Sequence, residues 1–284
     1  MVTLLTLNYR IGLLYDGLIN RLGRLGLPID EAVPVYKEVP PRFLFIGVSH
    51  RRLNESRTTK RRIRVLKNKL AGLDHLVMEG TSPEAVPFSY EDLAAQHFNG
   101  SIYFPQSNYN HRAALQKHGA SPNLRLLFNM LELIGCVYFD DRIPQNQRLG
   151  YAQHYFDSVS SDYREPKEVL QKMRKGLSIL LAEVADRPDL LDTWYTLASE
   201  LIPFEGRIRD NEVYAPFLLR MRDNVDGKIG VILGKEHLDY NISLLLGQPK
   251  EIILWEEVKR GLSQKALSAL EYFSQFERRY LTNH

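Results

Sequence analysis

Residues 43–50 read Phe43-Leu44-Phe45-Ile46-Gly47-Val48-Ser49-His50, and residues 228–237 read Lys228-Ile229-Gly230-Val231-Ile232-Leu233-Gly234-Lys235-Glu236-His237. Each opens on a short unbroken apolar run, which suits a strand covered on both faces. Each then leaves the strand through the same spacing, G-x-x-H, from Gly47 to His50 and from Gly234 to His237. After the first run comes a basic amphipathic stretch from about Thr58 to Leu70, with Ile63, Leu66 and Leu70 as its apolar stripe. A further apolar run, Leu76-Val77-Met78, follows and ends at Glu79-Gly80. Strand, helix and strand in so short a span predict a parallel βαβ unit.

Outward from these runs the pattern turns helical. Ser89–His97, Leu124–Ile134, Pro166–Ala185, Leu190–Leu201 and Asn211–Arg222 have helical composition, the last two separated by Pro203 and Gly206. Ser101–Phe104, Cys136–Phe139 and Glu251–Trp255 read as short strands, Leu238–Leu246 as a short helix and Ser263–Arg279 as a final amphipathic helix. Residues 1–40 read as an N-terminal helical extension with a connector punctuated by Pro28, Pro34, Pro40 and Pro41. Strands at both ends with helices between predict a single α/β domain over 1–284. Its mainly parallel central sheet is flanked by helices, with a helical insertion at about 105–225.

The composition is that of a globular protein. Of 284 residues, 44% are hydrophobic and 25% charged, which excludes disordered and fibrous classes. A single cysteine, Cys136, permits neither an internal disulfide nor a CxxC zinc site, and its apolar surroundings suit a buried thiol. Asn8 and Arg10 interrupt the apolar N-terminus, and no run of about 18 apolar residues appears elsewhere. The expected location is therefore cytoplasmic. Net charge is +3, but Arg51–Lys69 holds nine basic residues against Glu55 alone, a local +8 that leaves −5 for the rest. Such segregation suits either a solvated helix face or an anionic partner docking at Arg51–Lys69.

The strand ends carry the chemistry. In parallel α/β sheets ligands sit outside the carboxyl ends of the strands, where the residues that follow each strand are delivered. His50, Glu79 and His237 each follow a strand, so the fold would collect two imidazoles and a carboxylate at one edge. That set can bind a divalent metal or serve as an acid–base group. Glu79 also has an ordinary use, capping a helix or pairing with an arginine. No GxxxxGK[ST], no GxGxxG after a strand and no HExxH occurs, which argues against common nucleotide sites and zincin chemistry. Asp140 and Asp141 read as a turn or cap, and the remaining histidines show no repeated spacing.

Two strand-GxxH motifs, a strand-Glu, a long helical middle and an arginine-bearing helix before the second motif together resemble the TraB/TIKI-like superfamily. That group includes TraB/GumN proteins, TIKI proteases, erythromycin esterase-like proteins and ChaN-like haem-binding proteins. The resemblance covers about 43–80 and 215–255 and is fullest where Leu218-Leu-Arg-Met-Arg-Asp-Asn224 precedes the second strand. Gly234, His237 and Leu238 fall on the family's glycine–histidine turn. Arg222 matches the family arginine best, with Arg220 as the alternative. Gly47-Val48-Ser49 replaces the usual Gly-Thr, and no arginine follows Glu79 until Arg112. The resemblance implies a hydrolase in which His50, Glu79 and His237 are metal ligands or acid–base groups. Arg222 would stabilise developing negative charge or orient Glu79, and the cofactor would be a divalent metal ion. The alternative that it carries is a non-catalytic module holding haem through His50 or His237. All three side chains are expected in one cleft, with the Glu79 strand beside the His50 strand and Arg222 entering from its helix.

Overall fold

A computed structural model of the chain describes residues 33–48, 57–79, 90–105, 109–138, 143–159, 166–248 and 254–281. The chain divides into two compact units, Asp30–Asn110 with Glu205–Ile252, and Met1–Ile29 with His111–Phe204 and Ile253–His284. The class is α/β: a five-stranded, mostly parallel sheet with many helices, including a long helical stretch mid-chain.

The first unit holds the sheet. Its strands are β1 (Val35–Val39), β2 (Phe43–Val48), β3 (His75–Met78), β4 (Ser101–Tyr103) and β5 (Ile229–Gly234), in the order β1-β2-β5-β3-β4. Only β1 runs antiparallel to its neighbour. Every residue of β2 and of β5 is buried, as their unbroken apolar runs require.

Alternate residues serve opposite faces. On one face Phe43, Phe45, Val77, Ile229, Val231 and Leu233 pack with Leu218 and Met221 of a helix at Ala215–Asn224, and with Leu238 and Leu245 of a helix at Lys235–Leu245. On the other, Leu44, Ile46, Val48, Leu76, Met78 and Ile232 pack with Leu66 and Leu70 of α1 (Arg57–Leu70), and with Tyr90, Ala94 and Ala95 of α2 (Tyr90–His97). Gly47 has no room for a side chain, because Leu238 lies against its backbone.

The second unit is helical. It contains α3 (His111–Lys117), α4 (Leu124–Tyr138), α5 (Arg148–Val159), α6 (Lys167–Asp186) and most of α7 (Pro188–Arg209). The Ala215–Asn224 and Lys235–Leu245 helices of the sheet unit are α8 and α9; α10 (Trp255–Gly261) and α11 (Gln264–Phe276) complete the helical unit. Buried Leu124, Leu127, Leu131, Met173, Leu177, Leu180, Trp194 and Phe273 form its interior. The Tyr195 hydroxyl donates to the Leu131 carbonyl at 2.8 Å. Ser263 caps α11 by accepting from the Ala266 N–H at 3.2 Å.

Several sequence expectations need correction. Val35–Val39, read as connector, is an edge strand. Strands β2 and β3 are not neighbours, because β5 lies between them. Cys136-Val137-Tyr138, read as a strand, ends α4: buried Leu124, Leu127, Leu131, Ile134 and Val137 keep a three–four spacing to its last turn. Pro203 and Gly206 do not break α7, whose buried Leu197, Leu201, Phe204 and Ile208 flank them. Trp255 opens α10, and the rest of the run 251–255 that reaches 253 lies outside the described residues, as do 1–32 and Asp140–Asp141.

Candidate acid–base site at the carboxyl edge

Val48 pairs with Gly234 and Met78 with Ile232, so β2, β5 and β3 deliver their carboxyl ends at nearly the same level. Glu79 continues the β3 ladder, its N–H donating to the Ile232 carbonyl at 3.1 Å. Gly234 ends β5 and serves as the N-cap of α9, which puts His237 in the first turn of that helix. The two short runs that end in Glu79 and His237 are thus set side by side by one register.

The Glu79 side chain is held at both oxygens. Oε2 accepts the Gly234 N–H at 2.7 Å, and Oε1 accepts from Arg209 Nη1 at 2.9 Å. His237 Nε2 lies 3.6 Å from that same Oε1, which is beyond hydrogen-bond length. The other ring nitrogen, Nδ1, sits 2.8 Å from Asp210 Oδ1. A carboxylate only accepts, so Nδ1 carries the proton in this contact and Nε2 is left to face Glu79. His237 is 1% exposed, and its Nε2 has no hydrogen-bond partner.

The support comes from the end of α7 and the π-helical turn that follows it, Asp210–Tyr214. The wider turn leaves Asp210, Val213 and Tyr214 all buried. Asp210 Oδ1 also accepts from Asn241 Nδ2 at 2.6 Å, and the same amide donates to the His237 carbonyl at 2.9 Å. The Tyr214 ring meets the imidazole edge-on, centroids 5.4 Å apart. Gly206 brings the α7 backbone against His237: a Cβ there would stand 3.3 Å from the imidazole Cε1. Arg209 reaches Glu205 at 3.3 Å from its Nε, and Arg207 reaches Asp210 at 3.7 Å while its guanidinium stacks 3.9 Å from the Tyr240 ring centroid.

Electrostatics follow from this arrangement. Burial alone would lower the His237 pKa, but the hydrogen bond to Asp210 and the charges of Glu79 and Asp210 outweigh it, so the imidazole titrates above its ordinary value. Burial likewise opposes the Arg209 charge, and Glu205 and Glu79 more than compensate, holding it above its usual range. Glu79, Glu205 and Asp210, with Glu236 Oε1 at 3.7 Å from Nε2, outnumber the guanidiniums Arg207 and Arg209, an excess of negative charge that favours the imidazolium form of His237.

Of the residues expected at the site, Glu79 and His237 stand together. His50 follows β2 in sequence and lies outside the described residues. Arg222 sits on the exposed side of α8, where its Nε donates to Asp223 at 2.8 Å and its Nη1 to the Leu245 carbonyl at 3.3 Å. The guanidinium on Glu79 is that of Arg209. Sequence reasoning missed Arg209, Asp210, Glu205 and Asn241. A signal existed in Glu205-Gly-Arg-Ile-Arg-Asp-Asn-Glu212, where five charges crowd an otherwise apolar helical stretch. Among the described residues no three His, Cys, Asp or Glu side chains form a metal-binding group.

No family model, curated protein or solved structure matches this chain. Among the described residues no helix is long and apolar enough to cross a membrane.

Proposed function

We propose that the chain is a TraB/TIKI-like hydrolase that works by acid–base catalysis at the Glu79–His237 pair. The observation that carries the reading is the 3.6 Å approach of His237 Nε2 to Glu79 Oε1, with Nδ1 anchored on Asp210. In this scheme Glu79 takes a proton from water as the water oxygen attacks a substrate carbonyl. His237, whose protonated form Asp210 and Glu79 favour, gives its Nε2 proton to the departing oxygen or nitrogen as that bond breaks. The proton on Glu79 then returns to His237 across the short gap, restoring both groups. Arg209 orients Glu79, the part that the sequence assigned to Arg222.

A divalent metal held by His50, Glu79 and His237 is the second form of this reading. An unpartnered buried Nε2 whose Nδ1 is fixed by a carboxylate suits a ligand histidine. The Arg209 guanidinium on Glu79 Oε1 opposes a cation at that oxygen. Such an ion would polarise the carbonyl and acidify bound water.

The test is hydrolysis of a panel of p-nitrophenyl esters and fluorogenic peptides by the wild type, Glu79→Gln, His237→Gln and His50→Ala, with metal content measured alongside. Loss of about 10²–10⁴-fold in kcat/KM in the Glu79 and His237 variants is expected. If His50→Ala, Glu79→Gln and His237→Gln each lose bound metal and activity together, the metal form holds. Unchanged rates in both Glu79→Gln and His237→Gln overturn the proposal.

A further inference from the structure

Helix α1, Arg57–Leu70, carries no acidic residue, and its apolar stripe is already spent: Leu66 and Leu70 are buried on the sheet, with Ile63 packed beside them. Two of its cations are engaged. Lys69 Nζ lies 3.1 Å from Glu38 Oε1, and the Arg62 charge acts on buried Tyr90. Lys60, Arg61, Arg64 and Lys67 are all exposed, and none has a carboxylate partner among the described residues. At 1.5 Å and 100° per residue they span about 10 Å of the helix, Lys60, Arg64 and Lys67 on one side and Arg61 about 100° round from Lys60.

Among the described residues these four cations meet no counter-charge. We propose that this face of α1 docks on the phosphate backbone of duplex nucleic acid, without reading its sequence. A duplex presents a negative charge about every 1.7 Å of axis, so the row can meet several phosphates at once. Single strands are the poorer fit, because bases are held by stacking on aromatic rings and Lys60–Lys67 contains none. A helix lying in a membrane surface needs an apolar face to bury, and that of α1 faces the sheet. The remainder of the chain is net acidic, which repels a polyanion from other surfaces and directs it to this one. The surface lies on the sheet face opposite α8 and α9, so it stands apart from the acid–base pair.

The experiment is fluorescence anisotropy of a labelled 20-base-pair duplex of mixed sequence, titrated with the full chain at 50–200 mM KCl. Four phosphate contacts give a slope of about −3.6 in log K against log salt, so affinity falls about 150-fold across that range. In Arg61→Gln/Arg64→Gln two contacts remain and the fall shrinks to about 12-fold. Lys175→Gln/Lys265→Gln removes the same charge from exposed sites in the helical unit and should keep the wild-type slope. Unchanged circular dichroism in each variant, whose substitutions are all on the surface, keeps the comparison valid. The proposal is overturned by no binding at 50 mM KCl, or by equal losses in the two double variants. Retention on 7:3 phosphatidylcholine–phosphatidylserine vesicles without duplex binding also overturns it.

Discussion

The contact between Arg209 and Glu79 has an internal control in the same chain. Arg209 Nη1 and Arg174 Nη2 each lie 2.9 Å from a carboxylate oxygen, of Glu79 and Asp157 respectively. Exposure separates the two pairs: the side chains are 15% and 9% exposed in the first, and 50% and 51% in the second. At equal distance the pairs differ most in burial, and the buried one also engages Glu205 and the Gly234 N–H. Replacing Glu79 by Gln leaves one carbonyl oxygen to serve both the Gly234 N–H and Arg209, and leaves the guanidinium with Glu205 alone. A charge-assisted hydrogen bond of this kind contributes about 1.5–3 kcal/mol. Glu79→Gln should therefore destabilise the sheet unit by about 2–3 kcal/mol. A double-mutant cycle with Arg209→Gln should give a coupling of about 1.5–3 kcal/mol, because the second change removes the charge that the first stranded. The same cycle on Arg174 and Asp157 should give under about 1 kcal/mol. Urea unfolding measures both cycles, with hydrogen exchange of the β5 amides as the local readout for Glu79 and Arg209. Equal couplings in the two pairs, or additive losses at Glu79 and Arg209, would refute the burial argument.

Other consequences are direct. Because the His237 pKa is raised in the fold, its stabilising contribution is complete below the ordinary histidine value near 6.5 and declines as pH climbs through the folded value. Melting temperatures between pH 5 and 9 should show that decline, and Asp210→Asn should flatten it; an unchanged profile in that variant would sink the assignment of Asp210. Gly47→Val forces a branched side chain against Leu238 and should cost about 1–3 kcal/mol, read by urea midpoint. Tyr195→Phe removes a buried hydroxyl donor to the Leu131 carbonyl and should cost about 1 kcal/mol, with no effect on ester hydrolysis.

The sequence makes some of this legible and hides the rest for identifiable reasons. Strands β2, β3 and β5 stand out because burial on both faces demands unbroken apolar runs. Edge strand β1 hides because Lys37 and Glu38 give it a half-polar pattern among prolines. The last turn of α4 imitates a strand, since Val and aromatic residues score as β locally while the spacing of its buried residues is set over four turns. At the site, Glu79 and His237 are visible because each follows a strand, and position after a strand is a property of sequence. Arg209 and Asp210 are not, since their approach depends on where α7 ends and on the wider turn after it. Arg222 is expected at the site, yet on α8 it donates to Asp223 and to the Leu245 carbonyl.

The placement of β5 between β2 and β3 has a consequence for synthesis. The two strands that β5 joins are made early, yet β5 comes about 150 residues after β3. At 5–20 residues per second, roughly 8–30 s pass in which β2 and β3 have left the ribosome with no central strand to pair them. Each then offers a bare apolar edge to any other nascent chain. Such long-range pairing also slows folding, since a large loop must close before any contact of β5 rewards it. Yield on expression should therefore depend on elongation rate and on chaperone supply more than on the stability of the finished sheet.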